Sequence, residues 1–446
     1  MTSVFGHDVR SDLLVLYLAE TGAVFLAVYA LALLGVAQDT RINTLDAGLV
    51  AVAVALCCGV VVGASGLYRP EVLSRARRIA AGGFVAALLL LILTWLGLQF
   101  LTPARDPFSW SMVGAVLLGS VLGVAVARVG CSTATRCGLL TRRLLVLQDA
   151  PPGLPAGREA EAVRDFLVPV FMPIDAVGDG ALTPEWLKAQ RIWAVVAEPS
   201  SLTCTMRERF RAAGLRILSP DELDECRLNR VVPERLPENW LLTARGAHSS
   251  RFGQFLHRCL DIAAASFILL ATLPVWVVAA VLVRLDSPGP ILYRQVRVGL
   301  HGKHFTLYKF RSMVVDAEAG GAPRWATRND PRVTRLGRFM RLTRIDELPQ
   351  LINVLRGEMA IVGPRPERPG FVEQLGRLIP HYDDRALVKP GITGWAQVNY
   401  PYGASVEDAR MKLAYDLYYV RRRSLFLDLV VLVSTVRVVL FQEGAR

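Results

Sequence analysis

Four apolar runs open the chain, at about residues 13–36, 47–66, 79–101 and 110–127. Each reaches or approaches the ~20 helical residues that span a bilayer's hydrocarbon layer. The connection between the second and third runs carries Arg69, Arg75, Arg77 and Arg78, and Arg128, Arg136, Arg142 and Arg143 follow the fourth. The other two connections hold only Arg41 and Arg105. Basic loops stay in the cytoplasm, so both ends of this bundle are expected there. Glu20 sits inside the first run. A carboxylate at that depth is a functional candidate by default, although a packing or interface role is the favoured reading.

Beyond residue 139 the pattern becomes that of a soluble fold. Short apolar runs at 144–147, 168–172, 193–196 and 215–218 alternate with helical patterns at 158–166 and 202–213. That βαβ rhythm predicts a small parallel, Rossmann-like sheet. A dinucleotide site would need a glycine-rich turn after the first strand, whereas the chain reads Asp149-Ala-Pro-Pro-Gly-Leu-Pro-Ala-Gly. Prolines lack the N–H groups that cradle a pyrophosphate, so no cofactor is expected here. A structural or oligomerising role suits the insert; a homodimer is, separately, one of the expected partners of the chain. A linker with Pro233 and Pro237 follows to residue 250, then an amphipathic basic stretch at 251–258 suited to a membrane surface.

The apolar run at 262–283 is long enough to cross, yet Pro274 interrupts it. Basic residues flank both ends, Arg251 and Arg258 before it and Arg284, Arg294 and Arg297 after it. A crossing would put one cluster outside, so a re-entrant helix-break-helix is expected, dipping into one leaflet. Residues 424–440 are apolar but hold Asp428 and Arg437, which predicts a packed or surface-lying helix.

Composition agrees with a membrane protein: 52% of residues are hydrophobic and the mean hydropathy is +0.36. The net charge of +12 points to anionic membrane lipid and phosphorylated substrates. Nucleic acid is not expected as a partner, because no binding motif accompanies the charge. The seven cysteines form no Cys-x-x-Cys pair, and the six histidines show no metal-ligand spacing.

The candidate chemistry lies at 341–359. Asp346 and Glu347 precede a helical apolar pattern at Leu348, Leu351, Ile352 and Leu355. Pro349 is tolerated only in a first turn, which predicts Asp346 at the N-cap and Glu347 just inside the helix. Adjacent helical side chains diverge, so one carboxylate can face a phosphorus atom and the other a metal. Alone, such a pair is an ordinary cap. Here twelve lysines and arginines fall between Arg294 and Arg344, against Asp316, Glu318 and Asp330. Lys309 and Arg311 alternate on one face of a strand-like stretch. Gly363-Pro-Arg-Pro-Glu presents Arg365 from a rigid turn, and Pro390-Gly-Ile-Thr-Gly-Trp places Trp395 where it can cover a ring. The whole reads as a polyanion site with two acids at its edge.

The runs 252–262, 287–297, 309–313, 341–359, 362–366, 388–399 and 415–419 together resemble the bacterial sugar transferase family, the monotopic phosphoglycosyl transferases. The resemblance covers residues 251–446, while the first half is similar to the extension of the large members. Val398-Asn-Tyr-Pro-Tyr-Gly-Ala-Ser and Phe441-Gln-Glu-Gly-Ala-Arg are similar to the exopolysaccharide-synthesis branch. The resemblance implies a membrane protein of α plus α/β class in four parts. These are a four-helix transmembrane bundle (1–130), a Rossmann-like cytoplasmic insert (139–232), a linker (233–250) and a mainly helical catalytic domain (251–446). The re-entrant helix at 262–283 would break at Pro274.

It further implies an enzyme of the bacterial inner membrane with its catalytic domain on the cytoplasmic face. Such an enzyme moves a sugar-1-phosphate from a nucleotide sugar, a UDP sugar by this reading, to undecaprenyl phosphate. The transfer is ping-pong, with Asp346 as nucleophile and Glu347 associated with Mg2+. Arg341 matches a phosphate-binding arginine, and Lys309, Arg311 and Arg365 are assigned the same duty. Two other readings stand beside this one: a multi-span transferase without a covalent intermediate, and a non-catalytic membrane scaffold or regulator of polysaccharide synthesis and export.

Overall fold

The computed structural model describes residues 2–4, 7–9, 11–36, 44–65, 67, 83, 86–93, 110–137, 142–148, 167–174, 183–198, 200–244, 250–314, 330–400, 403 and 405–440. They divide into two compact units, essentially residues 8–227 and 228–446.

In the first unit, three long apolar helices pack together: α1 (Ser11–Val36), α2 (Thr44–Ala64) and α3 (Trp110–Arg136). Helical residues 86–93 add Ala86 and Leu90 to their core; apart from Gly83, the rest of the run at 79–101 lies outside the described residues. Two glycines explain the approach of α3 to α1. A Cβ on Gly123 would lie 2.6 Å from the Val24 backbone, and one on Gly119 would meet Val28. Small residues at such contacts let apolar helices associate where lipid offers no hydrophobic drive. Glu20 is buried and accepts a hydrogen bond from Arg128 Nε at 2.7 Å, tying α1 to α3. The ion pair is consistent with the packing reading of that carboxylate.

The same unit holds the expected parallel sheet. Strands β1 (Arg142–Gln148), β2 (Leu167–Pro173), β3 (Ile192–Val196) and β4 (Arg216–Leu218) are ordered β2-β1-β3-β4. Leu144 and Leu145 are both buried, as a strand covered on both faces requires. Short helices α4 (Pro184–Ala189), α5 (Cys204–Ala212) and α6 (Pro220–Leu228) connect or follow the strands. The helix expected at 158–166 and the proline-rich turn before it lie outside the described residues.

The second unit begins with two 3₁₀ turns, Pro233–Arg235 and Trp240–Thr243. Trp240 and Ala244, within the stretch read as a linker, belong to its core, as does Val231 just before it. Helix α7 (Arg251–Ala271) is continuous, capped by Ser250, so 251–258 is its first two turns and not a separate stretch. Helix α8 (Leu273–Asp286) begins after one residue, Thr272. Pro274 is therefore not the break itself. It occupies the second position of α8, where its missing N–H costs no intrahelical bond.

Both helices are anchored to the same unit. Arg258 donates to Val354 O (2.6 Å) and Leu355 O (2.7 Å), and Asp261 accepts from Ile361 N (2.9 Å). Ala279 and Val283 of α8 pack against Phe310 and Met340. Elsewhere the pair exposes Phe252, Phe255, Phe267, Leu270, Val277 and Leu285. Among the described residues, three helical segments are long and apolar enough to cross a membrane: 14–33 in α1, 116–134 in α3 and 251–271, the whole of α7.

A hairpin of β5 (Leu292–Val298) and β6 (His304–Phe310) is followed by α9 (Arg335–Thr343), α10 (Gln350–Arg356), β7 (Ala360–Val362) and α11 (Pro369–Leu378). Strand β8 (Gly391–Thr393) pairs with β7 in parallel. Then come α12 (Trp395–Asn399), α13 (Val406–Arg422) and α14 (Leu425–Leu440). The core gathers Leu351, Val354, Met359, Leu417, Tyr418 and Tyr419. Leu427 and Val431 are fully buried there, so α14 is packed, as its charged residues predicted.

Candidate active site

The site is built where α9 meets the end of β6. Thr334 caps α9 by accepting from Gly337 N, while its own N–H donates to Ser312 O at 3.2 Å. A Cβ on Gly337 would lie 2.0 Å from Ser312 O, so only glycine permits this approach. It brings Arg341 Nε within 3.0 Å of Ser312 Oγ.

Helix α9 ends at Arg344, whose φ of +59° is left-handed. Such a conformation costs a non-glycine residue about 1–2 kcal/mol and turns the chain sharply. The chain then enters a 3₁₀ turn, Ile345–Glu347, closed by Glu347 N to Arg344 O (3.1 Å) and Leu348 N to Ile345 O (3.2 Å). Helix α10 starts only at Gln350, with Pro349 at its N-cap. Asp346 is thus not an N-cap, nor Glu347 a first-turn residue: the tight turn ahead of the helix holds both and buries both.

Glu347 Oε1 accepts from Lys309 Nζ at 2.9 Å and from Arg365 Nη2 at 3.0 Å, with Arg344 Nη1 at 3.8 Å. Burial alone would raise its pKa, but Lys309, Arg365 and Arg344 outweigh that and hold it well below the usual carboxylate range. Its neighbour behaves oppositely. Burial raises the Asp346 pKa despite Lys309, and Asp346 Oδ1 is a buried oxygen without a hydrogen-bond partner among the described residues. Such an atom is costly unless something else meets it.

A cleft of about 1480 Å³ opens over these groups. Asp346, Glu347, Lys309, Arg341 and Arg365 line it together. Arg311 also lines the cleft but its guanidinium is engaged elsewhere, and Trp395 is not among the lining residues. Arg311 is buried, and its guanidinium donates to Pro288 O (2.8 Å) and Ser287 O (2.6 Å), fastening the end of α8. Trp395 is also buried; its Nε1 donates to Asn229 O at 2.8 Å and its ring stacks on Tyr418. It packs in the core of the second unit. Sequence reasoning missed Arg385 and Asp416, a buried ion pair (2.7 Å) that reaches the Arg365 backbone.

No group of three or more His, Cys, Asp or Glu suited to a metal occurs among the described residues. The carboxylate pair nevertheless fits a hard divalent cation that takes one or two protein oxygens and completes its shell with water and phosphate. Among the described residues Asp346 Oδ1 has no hydrogen-bond partner, and the ion pairs of Glu347 with Lys309, Arg365 and Arg344 fall on Oε1.

A mostly helical chain with membrane-length apolar helices and two acids buried in a cationic cleft is a membrane protein equipped to meet anions. More narrowly, it belongs to the bacterial sugar transferase family, whose description matches residues 252–442. It is 42% identical over 243 residues to the UDP-N-acetylgalactosamine-undecaprenyl-phosphate N-acetylgalactosaminephosphotransferase of Aeromonas hydrophila, covering 54% of this chain and 56% of that one. To the UDP-glucose:undecaprenyl-phosphate glucose-1-phosphate transferase of Xanthomonas campestris pv. campestris it is 48% identical over 179 residues, 40% of this chain and 37% of the other. The protein of the same name from Caulobacter vibrioides is 41% identical over 213 residues, 47% of this chain and 79% of its own length. The match spans about half or less of the first two relatives.

Proposed function

We propose that the chain transfers a sugar-1-phosphate from a nucleotide diphosphate sugar, a UDP sugar by analogy with its relatives, to undecaprenyl phosphate at the cytoplasmic face of the inner membrane. Initiation of exopolysaccharide or capsule assembly is the biological setting this suggests. One observation carries the mechanism: Asp346 is buried in the cationic cleft with an unpartnered oxygen, beside a Glu347 whose Oε1 is already held by two cations.

In the first half-reaction an Asp346 carboxylate oxygen attacks the phosphorus that bears the sugar. The P–O bond to the other phosphate breaks, and the nucleoside monophosphate leaves with the bonding electrons. In the second, a phosphate oxygen of undecaprenyl phosphate attacks the same phosphorus in the sugar-phospho-aspartate. The acyl-phosphate bond breaks, and Asp346 returns as a carboxylate. A carboxylate is a weak nucleophile toward an anion, so the charge around it must be cancelled. Lys309 and Arg365 set Glu347, and Arg341 stands on the cleft wall to receive phosphate oxygens. Mg2+, held by Asp346 and Glu347, would supply charge neutralisation at the diphosphate.

The exposed apolar faces of α7 and α8 fit a helix pair that dips into one leaflet and returns. Arg258 near the start and Ser287 just past the end are both bonded to residues of the second unit. That placement would set the cleft at headgroup level, where a lipid-borne phosphate arrives.

The test uses purified protein with labelled nucleotide sugar and no acceptor. Labelled protein and released nucleoside monophosphate are expected, and Asp346→Asn should abolish both. Turnover retained in that variant would eliminate the covalent route.

A further inference from the structure

Residues 363–368 carry Arg365, and four successive carbonyls of this loop are held from three segments: Gly391, Arg385 and the Arg297–Val298 end of β5. Pro364 O accepts from Gly391 N (2.9 Å), Arg365 O from Arg385 Nη2 (2.9 Å), Pro366 O from Arg297 Nη1 (2.9 Å) and Glu367 O from Val298 N (3.0 Å). Two of the four donors are guanidinium groups rather than backbone amides. One of these is bonded to the carbonyl of the very residue whose side chain meets Glu347.

The Arg385 guanidinium is occupied on both terminal nitrogens. Nη1 donates to Tyr382 Oη at 2.9 Å, and Nη2 donates both to Arg365 O and to Asp416 Oδ2 at 2.7 Å. Asp416 lies in the middle of α13 and is almost wholly buried. A buried arginine–carboxylate pair is a poor source of net stability, since the cost of removing two charges from water offsets their attraction. Its value must lie in what it fixes. A guanidinium also has a rigid fork of donors that an ammonium cannot reproduce.

We propose that Arg385, oriented by Asp416 and Tyr382, is a positioning residue that fixes the 363–368 loop so that Arg365 reaches Glu347. Arg385 lines the same cleft, but its hydrogen bonds run to Tyr382, Asp416 and the Arg365 carbonyl and not to Asp346 or Glu347. It sets the height of the Arg365 backbone, and through it the guanidinium that holds Glu347 Oε1. The proposal deepens the transfer reaction proposed above and rests on it for its kinetic arm only.

Two measurements on the full chain in lipid nanodiscs test it. The first is a double-mutant cycle read by nucleoside monophosphate release. Arg385→Lys is expected to lower kcat ten- to a hundredfold, the usual range for residues supporting a site from behind. In an Arg365→Ala background the same change should cost less than about twofold, because the group it positions is gone. Full persistence of the loss in that background, or an unaltered kcat in the single variant, would overturn the proposal. The second measurement needs no activity: amide exchange at Gly391 and Val298, whose N–H groups hold the loop, should accelerate at least tenfold in Arg385→Lys. Amides of α10 should stay unchanged. Unaltered exchange at Gly391 and Val298 overturns the proposal whether or not the chain proves to be a transferase. Should Arg385→Lys not fold, Tyr382→Phe removes one of the three acceptors and is read the same two ways, with smaller shifts expected.

Discussion

At the scale of single residues, two carboxylates of the second unit titrate in opposite directions. The Glu347 pKa is depressed by its three cations, so its pairing stabilises the fold above the unfolded carboxyl's pKa of 4.5 and is lost as pH falls further. Glu347→Gln should therefore lower the melting temperature at neutral pH, with the gap to wild type closing below about pH 4.5. The same variant should lose most transfer activity and show a weaker magnesium dependence; unchanged kinetics would remove its metal role. Asp416 is the reverse case. Burial lifts its pKa from 3.8 to about 6 despite Arg385, so the folded state holds the proton more tightly than the unfolded one. Between those values wild type should lose stability relative to Asp416→Asn as pH rises, with a constant difference above. A pH series of thermal melts on the two proteins checks the sign.

The residues also show what a sequence reveals. The Asp346–Glu347 pair stands out because acids are rare in a run of arginines, and the structure does gather Lys309, Arg341 and Arg365 around it. Alternation placed Lys309 and Arg311 on one face, but the strand ends at Phe310, and the pattern could not say what each cation would meet. For Arg311 it was the carbonyl end of a helix more than twenty residues upstream. Arg385 and Asp416, thirty-one positions apart, became a pair only through packing.

At the scale of elements, the position of α9 depends on Gly337. Gly337→Ala drives a methyl group into the Ser312 carbonyl, where neither backbone can yield. A loss of about 2–3 kcal/mol is expected, together with reduced activity as Arg341 is carried off the cleft wall. Denaturant melts and nucleoside monophosphate release measure the two effects; an alanine variant of wild-type stability would show that the approach is looser than described. Periodicity located α10 but not its start. Pro349 is equally compatible with a first turn and with an N-cap, and the left-handed Arg344 that decides between them has no sequence signal. The break between α7 and α8 was legible from Pro274, displaced by two residues because proline prefers the start of the second helix to the end of the first.

At the scale of the molecule, the apolar patterning was the clearest signal: α1, α2 and α3 stand where the runs predicted, and the four strands of the insert are parallel. Re-entry of α7 and α8 is a claim about both ends of one segment. Single cysteines placed at Arg251 and Asp286, in a chain cleared of its seven native ones, should react with an impermeant reagent from the same side of the membrane. Modification from opposite sides would make the pair a crossing.

Trp240 has a practical bearing on anyone who wishes to study the family-matching half alone. Its indole is buried, with Nε1 donating to Asp384 Oδ2 at 3.0 Å. Cutting the gene at the family boundary near residue 252 would discard it, together with Val231 and Ala244. A fragment starting there should be aggregation-prone through a wound of its own making, whereas one starting at Leu228 keeps its plug.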